Sequence, residues 1–165
     1  MSGQTNTKFT QQNADAMAAM ITGLWKSGGT MAQVMGVTDE QCEVMYAYGH
    51  SLYALGKYDD AFKVFAQLVT YDHMDSRYQM ALASAMQMTG RYEEALQQYV
   101  VVTVMRLDDP APVFHCAECL LALGRPEEAR DSLELVVSAL CKPGEHDFIK
   151  ARAEALFKAI EVKTK

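Results

Sequence analysis

The chain has 165 residues, of which 50% are hydrophobic and 22% charged, a composition that supplies a core for one folded unit and excludes global disorder. Fifteen Lys and Arg against twenty-one Asp and Glu give a formal net charge of −6, which argues against nucleic acid or an anionic membrane as a partner. Four cysteines in a chain of this length do not resemble a disulfide scaffold, so we expect reduced thiols and a cytoplasmic protein.

The amino-terminal segment divides into two parts. Residues 1–13 are polar and lack the apolar stretch of a secretory signal, and we expect them to be disordered. Residues 14–41 are predicted to form a helical extension with an apolar stripe made of Met17, Met20, Ile21 and Leu24. Because this stripe needs cover, the sequence predicts either a homodimer formed through it or a helix folded back onto the next element.

A repeated motif follows. The sequence GKYDDA at residues 56–61 recurs as GRYEEA at 90–95 and as GRPEEA at 124–129, each copy 34 positions after the previous one. This is the period of the tetratricopeptide repeat, in which antiparallel helix pairs stack side by side. We therefore predict an all-α solenoid of three repeats, at residues 42–75, 76–109 and 110–143. Thr38 followed by Gln41 predicts a capping box at the start of the first repeat.

The carboxy-terminal segment predicts one more helix. After the break at Pro143-Gly144, apolar residues recur at helical spacing between Lys and Arg, namely Phe148, Ile149, Ala153, Leu156 and Ile160. We expect residues 144–162 to form the helix that caps the solenoid.

Each repeat's first helix also carries a stripe that packing does not require. Positions five, nine and twelve of each repeat lie on the concave side, and a merely solvated stripe there would be charged. Only one of its nine residues is an acid or a permanent base: the stripe is Tyr46, His50 and Tyr53, then Met80, Ser84 and Gln87, then Phe114, Glu118 and Leu121. Aromatic and Met side chains in a groove favour binding of an extended apolar peptide, with Arg77 at the edge.

Three local motifs carry a family resemblance: Gly28-Gly29-Thr30, the pair Asp72-His73 followed by Asp75-Ser76-Arg77, and the run DPAPVFHCAEC at residues 109–119. With the repeat phase they resemble the class II chaperones of bacterial type III secretion. The resemblance implies a non-enzymatic, cytoplasmic chaperone that holds an amino-terminal segment of secreted translocator proteins in its concave groove. It adds Phe65 to the peptide-binding residues and implies dimerisation through the first helix.

Other functions have weaker support in the sequence. His115, Cys116 and Cys119 cluster within one helical turn, but the sequence offers no further ligands for a metal, and we expect neither metal nor cofactor. No glycine-rich phosphate loop is present. The alternatives are a general tetratricopeptide adaptor for another peptide and a role with a transcription activator, which the family resemblance permits.

Overall fold

The computed structural model describes residues 4–163, and the side chains of residues 11–23 and 26–162. Within this range the chain forms α-helices and one π-helical turn, with no β-strand, as expected for an all-α protein. The helices are α1 (Gln4–Lys26), α2 (Met31–Met35), α3 (Asp39–Ala54), α4 (Tyr58–Tyr71), α5 (Ser76–Met88), α6 (Tyr92–Met105), α7 (Pro110–Ala122), α8 (Pro126–Leu135) and α9 (Asp147–Lys163), with the π-helical turn at Val136–Leu140.

Helices α3 to α8 form three antiparallel pairs that stack in chain order, which confirms the predicted solenoid. Each pair is joined through a glycine with a left-handed backbone: φ is 73° at Gly56, 78° at Gly90 and 73° at Gly124. The predicted capping box is present, since the Thr38 side chain accepts from the Gln41 amide and the Gln41 side chain accepts from the Thr38 amide.

The two helices of the first pair approach each other most closely at Gly49. A Cβ placed on Gly49 would lie 2.5 Å from Cε1 of Phe65, so only glycine fits at this point without movement of the ring. In the next two repeats the equivalent position is alanine, and both Ala83 and Ala117 are fully buried. Small residues at this position therefore set the spacing of each helix pair.

The core consists of two hydrophobic clusters. The larger is built by the first two repeats around Phe65, Leu68 and Tyr99, with Cys116 and Cys119 of α7 completing it. The second joins the third repeat to α9, through residues that include Phe114, Leu133, Val136, Ala153 and Ile160. Helix α9 is therefore fixed on the third repeat by an apolar interface of its own.

Helix α9 continues the 34-residue phase of the repeats. Ala153 is buried in the cluster that joins α9 to the third repeat, and Cys119 and Ala85, at the same position of the two preceding repeats, are also buried. Ala151, 34 positions after Ala117, has the small side chain typical of this position in a first helix, but it is exposed. In the phase of the repeats, helix α9 thus takes the place of a further first helix after α8.

The amino-terminal helix differs from the expectation. Helix α1 begins at Gln4, so the segment for which we expected disorder is helical from that residue onward, because its polar residues are compatible with a helix. Met17 and Met20 are exposed, Ile21 is half-buried, and the side chain of Leu24 lies outside the described residues. Helix α2, rather than α1, packs against α4. The apolar stripe of α1 is therefore largely uncovered in the single chain.

No helix in the part of the chain described here is both long and apolar enough to span a membrane.

Candidate functional site

The concave side of the first two repeats contains a cavity of about 200 Å³, which we call the groove pocket. It is partly open to solvent. Seven of the sequence-predicted site residues line it, together with Ala81 and Arg106: these seven are Tyr46, His50, Tyr53, Phe65, Arg77, Met80 and Ser84. The structure thus brings the first-helix stripes of two repeats together in one place.

Aromatic rings form one wall of the groove pocket. The Tyr46 ring packs edge-on against the His50 ring with 4.5 Å between centroids, and it lies 5.4 Å from the ring of Tyr78. The His50 ring in turn lies 5.3 Å from Phe65. Phe65 itself has no exposed surface, so it is the floor beneath the wall and not a free contact residue. Burial raises the pKa of Tyr46, so its hydroxyl stays protonated at neutral pH.

Arg77 holds the Tyr46 end of the wall. Its guanidinium donates to both carboxylate oxygens of Asp75 and, at 2.7 Å, to Glu43 of the first repeat. Its Cζ lies 5.4 Å from the ring centroids of Tyr46 and Tyr78, within cation–π range. Arg77 therefore joins the two repeats and fixes the aromatic side chains at the pocket edge.

Arg106 is a pocket residue that the sequence analysis missed. It follows the last turn of α6, a second helix, and so lies outside the stripe of the first helices. Its Nε donates to Ser76 Oγ at 2.8 Å and its Nη1 lies 3.2 Å from Asp109. No periodic signal marks it, because it reaches the groove from the turn between repeats.

The middle of the stripe forms a polar network instead of an open surface. The Tyr99 hydroxyl donates to Gln87 Oε1 at 2.8 Å and lies 3.2 Å from Ser84 Oγ. Gln87 Nε2 donates to Glu118 at 3.1 Å, which links the second repeat to the third. Burial raises the pKa of Tyr99, so that this buried hydroxyl remains a donor. Gln87 and Glu118 are therefore occupied by internal hydrogen bonds.

Glu118 is the centre of a second set of contacts. Arg152 of α9 donates to its Oε1 at 2.8 Å, and His115 Nδ1 lies 2.8 Å from its Oε2. Burial opposes ionisation of the carboxyl, but the hydrogen bonds from His115 and Gln87 and the charge of Arg152 outweigh it and lower the pKa of Glu118. Glu118 is thus an ionised anchor between α7 and α9.

Phe114 does not line the groove pocket, and its place among the peptide-binding residues stays a prediction. Its side chain is only 1% exposed, and the guanidinium of Arg152 lies over its ring, with Cζ 4.7 Å from the centroid. The reason is that α9 packs onto the third repeat as a further first helix would. Leu121, the last stripe residue, lines a separate cleft with Leu156 and Ile160.

The cysteine cluster has no reactive character. Cys116 and Cys119 are buried, and burial raises the pKa of Cys116 to about 11 and that of Cys119 to about 12. Thiols that stay protonated are poor nucleophiles and poor metal ligands. Among the described residues, no group of three or more His, Cys, Asp or Glu is arranged to hold a metal ion.

Comparisons with known proteins agree with the repeat architecture. Two models of the tetratricopeptide repeat match this chain, at residues 46–112 and 110–134. The chain is 33% identical over 160 residues to the low calcium response locus protein H of Yersinia pestis, covering 97% of this chain and 93% of that protein.

Solved structures of similar proteins include complexes. The type III secretion chaperone SycD of Yersinia enterocolitica, bound to a peptide of the translocator YopD, is 34% identical with a TM-score of 0.72, covering 78% of this chain and 98% of SycD. PcrH of Pseudomonas aeruginosa, in complex with the chaperone binding region of PopD, is 35% identical with a TM-score of 0.71, covering 79% of this chain and 98% of PcrH. SycD has also been solved as an alternative dimer.

Proposed function

Since this chain belongs to the class II chaperones of bacterial type III secretion, we propose that it binds an extended segment of a secreted translocator protein in its concave groove. The single observation that carries the proposal is the groove pocket, where half-buried Tyr46, Tyr53 and Met80 surround an open cavity on the concave side. SycD and PcrH, which hold translocator segments, are similar to this chain over more than three quarters of its length.

The size and lining of the groove pocket suit a side chain of a bound peptide. A cavity of about 200 Å³ is smaller than the roughly 300–1,000 Å³ of small-molecule and cofactor sites. Aromatic rings offer a large contact area at a low entropy cost, and Met80 adapts its shape to the incoming group. The pocket therefore fits one apolar side chain of an extended chain, with neighbouring residues lying along the groove.

The proposed mechanism is sequestration without chemistry. A translocator carries apolar segments that would associate with one another before export. A chaperone that binds one of these segments keeps it from associating with the others. The inner wall offers Tyr, Met and His to this segment, while Ser84 is occupied by the neighbouring network. We propose that the chain acts in the cytoplasm and is not an enzyme.

Helix α1 supplies a second proposed contact. Met17 and Met20 are 60% and 51% exposed on the same face, which is unusual for adjacent large apolar side chains of a monomer. We propose that this face pairs with its copy in a second chain.

Co-expression tests the proposed function. The chain is expressed with candidate translocator proteins from the same bacterium, and the soluble fraction of each translocator and its co-purification with the chain are measured. We expect the wild-type chain to keep at least one translocator soluble and bound. A Met80→Glu variant, which places a charge in the groove pocket, should lose this effect, whereas Met88→Glu at the exposed end of α5 should keep it. Translocators that stay insoluble with the wild-type chain, or equal rescue by Met80→Glu, would contradict the proposal.

A further inference from the structure

The concave stripe continues from the third repeat onto α9. Phe148, Arg152 and Ala155 follow Phe114, Glu118 and Leu121 by 34 residues each, and so occupy the fifth, ninth and twelfth positions of the repeat phase as it continues into α9. In the first two repeats, five of the six residues at these positions line the groove pocket. We call the three concave residues of one first helix a row. Helix α9 therefore adds a fourth row to the three that the repeat motif predicts.

Phe148 is the aromatic residue of this fourth row, and it is uncovered. Its side chain is 74% exposed, whereas Phe114 at the same position of the third row is buried. The other exposed residues of α9 are mostly polar or small, such as Asp147, Ala151 and Glu154, apart from Val162 near its carboxy-terminal end. An exposed phenylalanine on the groove side therefore stands apart from the solvated face that a capping helix presents.

Arg152 connects the third row to the fourth. Its Cζ lies 4.7 Å from the ring centroid of Phe114 and 5.7 Å from that of Phe148, so the guanidinium lies between two aromatic side chains. The hydrogen bond from Arg152 to Glu118 holds it there. Arg152 thus holds Phe148 next to Phe114 of the third row.

From this continuity we infer that the bound translocator segment extends past the third repeat and places an apolar side chain on Phe148. The inference rests on the proposed function and adds the length of the bound segment to it. Packed helices lie about 8–10 Å apart and an extended chain advances about 3.3 Å per residue, so each further row takes about three more residues. The client is therefore expected to bind more tightly as its segment is lengthened at the end that reaches α9.

The experiment compares two peptides from the translocator that the wild-type chain binds. One is the shortest segment that binds, and the other is lengthened by about ten residues at either end; both carry fluorescein, and anisotropy gives the affinity. Phe148→Ala should weaken binding of the long peptide about five- to tenfold and leave the short peptide unchanged. Phe148→Tyr should retain the affinity. Val104→Ala, at a side chain 70% exposed on the second helix α6, is the matched control and should change neither affinity.

The outcomes separate this inference from the proposed function. If wild type and Phe148→Ala gain equally from lengthening the peptide, or gain nothing, the fourth row is not a binding surface. A Phe148→Ala variant that changes the mass of the free protein in solution, with binding intact, would assign this side chain to contact with a second copy. If Tyr46→Ala also leaves both affinities unchanged, the groove assignment fails and this inference fails with it.

Discussion

Arg152 of α9 donates a 2.8 Å hydrogen bond to Glu118 of α7, the residue that occupies the same repeat position 34 residues earlier. The same spacing separates Glu43 and Arg77, which are joined at 2.7 Å between the first and second repeats. Both pairs tie one first helix to the next along the stack. In these two pairs, complementary charges that recur at the 34-residue period form an ion pair between neighbouring repeats.

Glu118→Gln is expected to destabilise the protein in a pH-dependent way. The pKa of Glu118 is lowered in the folded state, so its contribution to the free energy of unfolding is present above the carboxyl's ordinary pKa and is lost as the pH falls through the lowered value. Loss of a charged, half-buried hydrogen-bonding group costs about 1–3 kcal/mol. The melting temperatures of wild type and variant should differ at pH 7, and the difference should shrink as the pH falls below the ordinary carboxyl pKa of about 4.3.

The control for this prediction is Glu161→Gln on the exposed part of α9. Its melting temperature at pH 7 should equal that of the wild type. A constant gap between wild type and Glu118→Gln from pH 7 to pH 3 would show that the charge of Glu118 does not act through these contacts.

Phe114→Ala is expected to damage the fold and not only binding. Its side chain is buried in the cluster that joins the third repeat to α9, so truncation leaves a cavity and costs about 3–5 kcal/mol. Chemical denaturation measures the change in free energy of unfolding. Phe148→Ala, near the start of α9, should stay close to wild type because its side chain is exposed. Equal stability of wild type and Phe114→Ala would mean that α9 does not cover this ring.

Gly49→Ala tests the closest approach of two helices. The added Cβ would lie 2.5 Å from Phe65, so the ring or the helix must move, at a cost of about 1–3 kcal/mol. Because Phe65 is the floor of the groove pocket, affinity for a client peptide should fall as well. Gly23→Ala in α1, where no atom lies within 4 Å, should leave the stability unchanged or slightly increased. An unchanged unfolding midpoint for Gly49→Ala would contradict the packing described.

Met20→Glu tests the proposed pairing of α1. Light scattering over a concentration series should show a dimer for the wild type and a monomer for the variant, because a charge on the apolar face opposes its burial. Met74→Glu places the same charge at another exposed methionine, between α4 and α5, and should leave the dimer intact. A wild-type chain that stays monomeric at the highest concentration would remove the proposal.

Much of the fold follows from local sequence. The turn glycines and the Thr38–Gln41 box are decided by a few neighbouring residues, and the structure has them where the sequence predicts. The pairing of Tyr46 with Met80 on one concave side follows from the 34-residue period, because stacking repeats align equal positions. Whether these residues bind a client stays a prediction.

Other features of the fold and of the groove depend on contacts between segments that are distant in the sequence, or carry no local signal. Phe114 belongs to the concave stripe by its position, but only the docking of α9 decides that it is covered. Arg106 reaches the groove pocket from the end of a second helix, where no periodic pattern predicts it. The start of α1 at Gln4 was missed because its polar residues carry no apolar stripe that would predict a helix.

The affinity of Tyr46→Ala for a translocator peptide decides whether the concave groove holds the client. Tyr46 lines the groove pocket, whereas Tyr48, two residues along the same helix and 58% exposed, does not. Calorimetric titration with a translocator peptide should show Tyr46→Ala about thirtyfold weaker than wild type, a loss of about 2 kcal/mol, and Tyr48→Ala unchanged. Equal affinities for wild type and Tyr46→Ala, or an equal loss for both variants, would contradict the account.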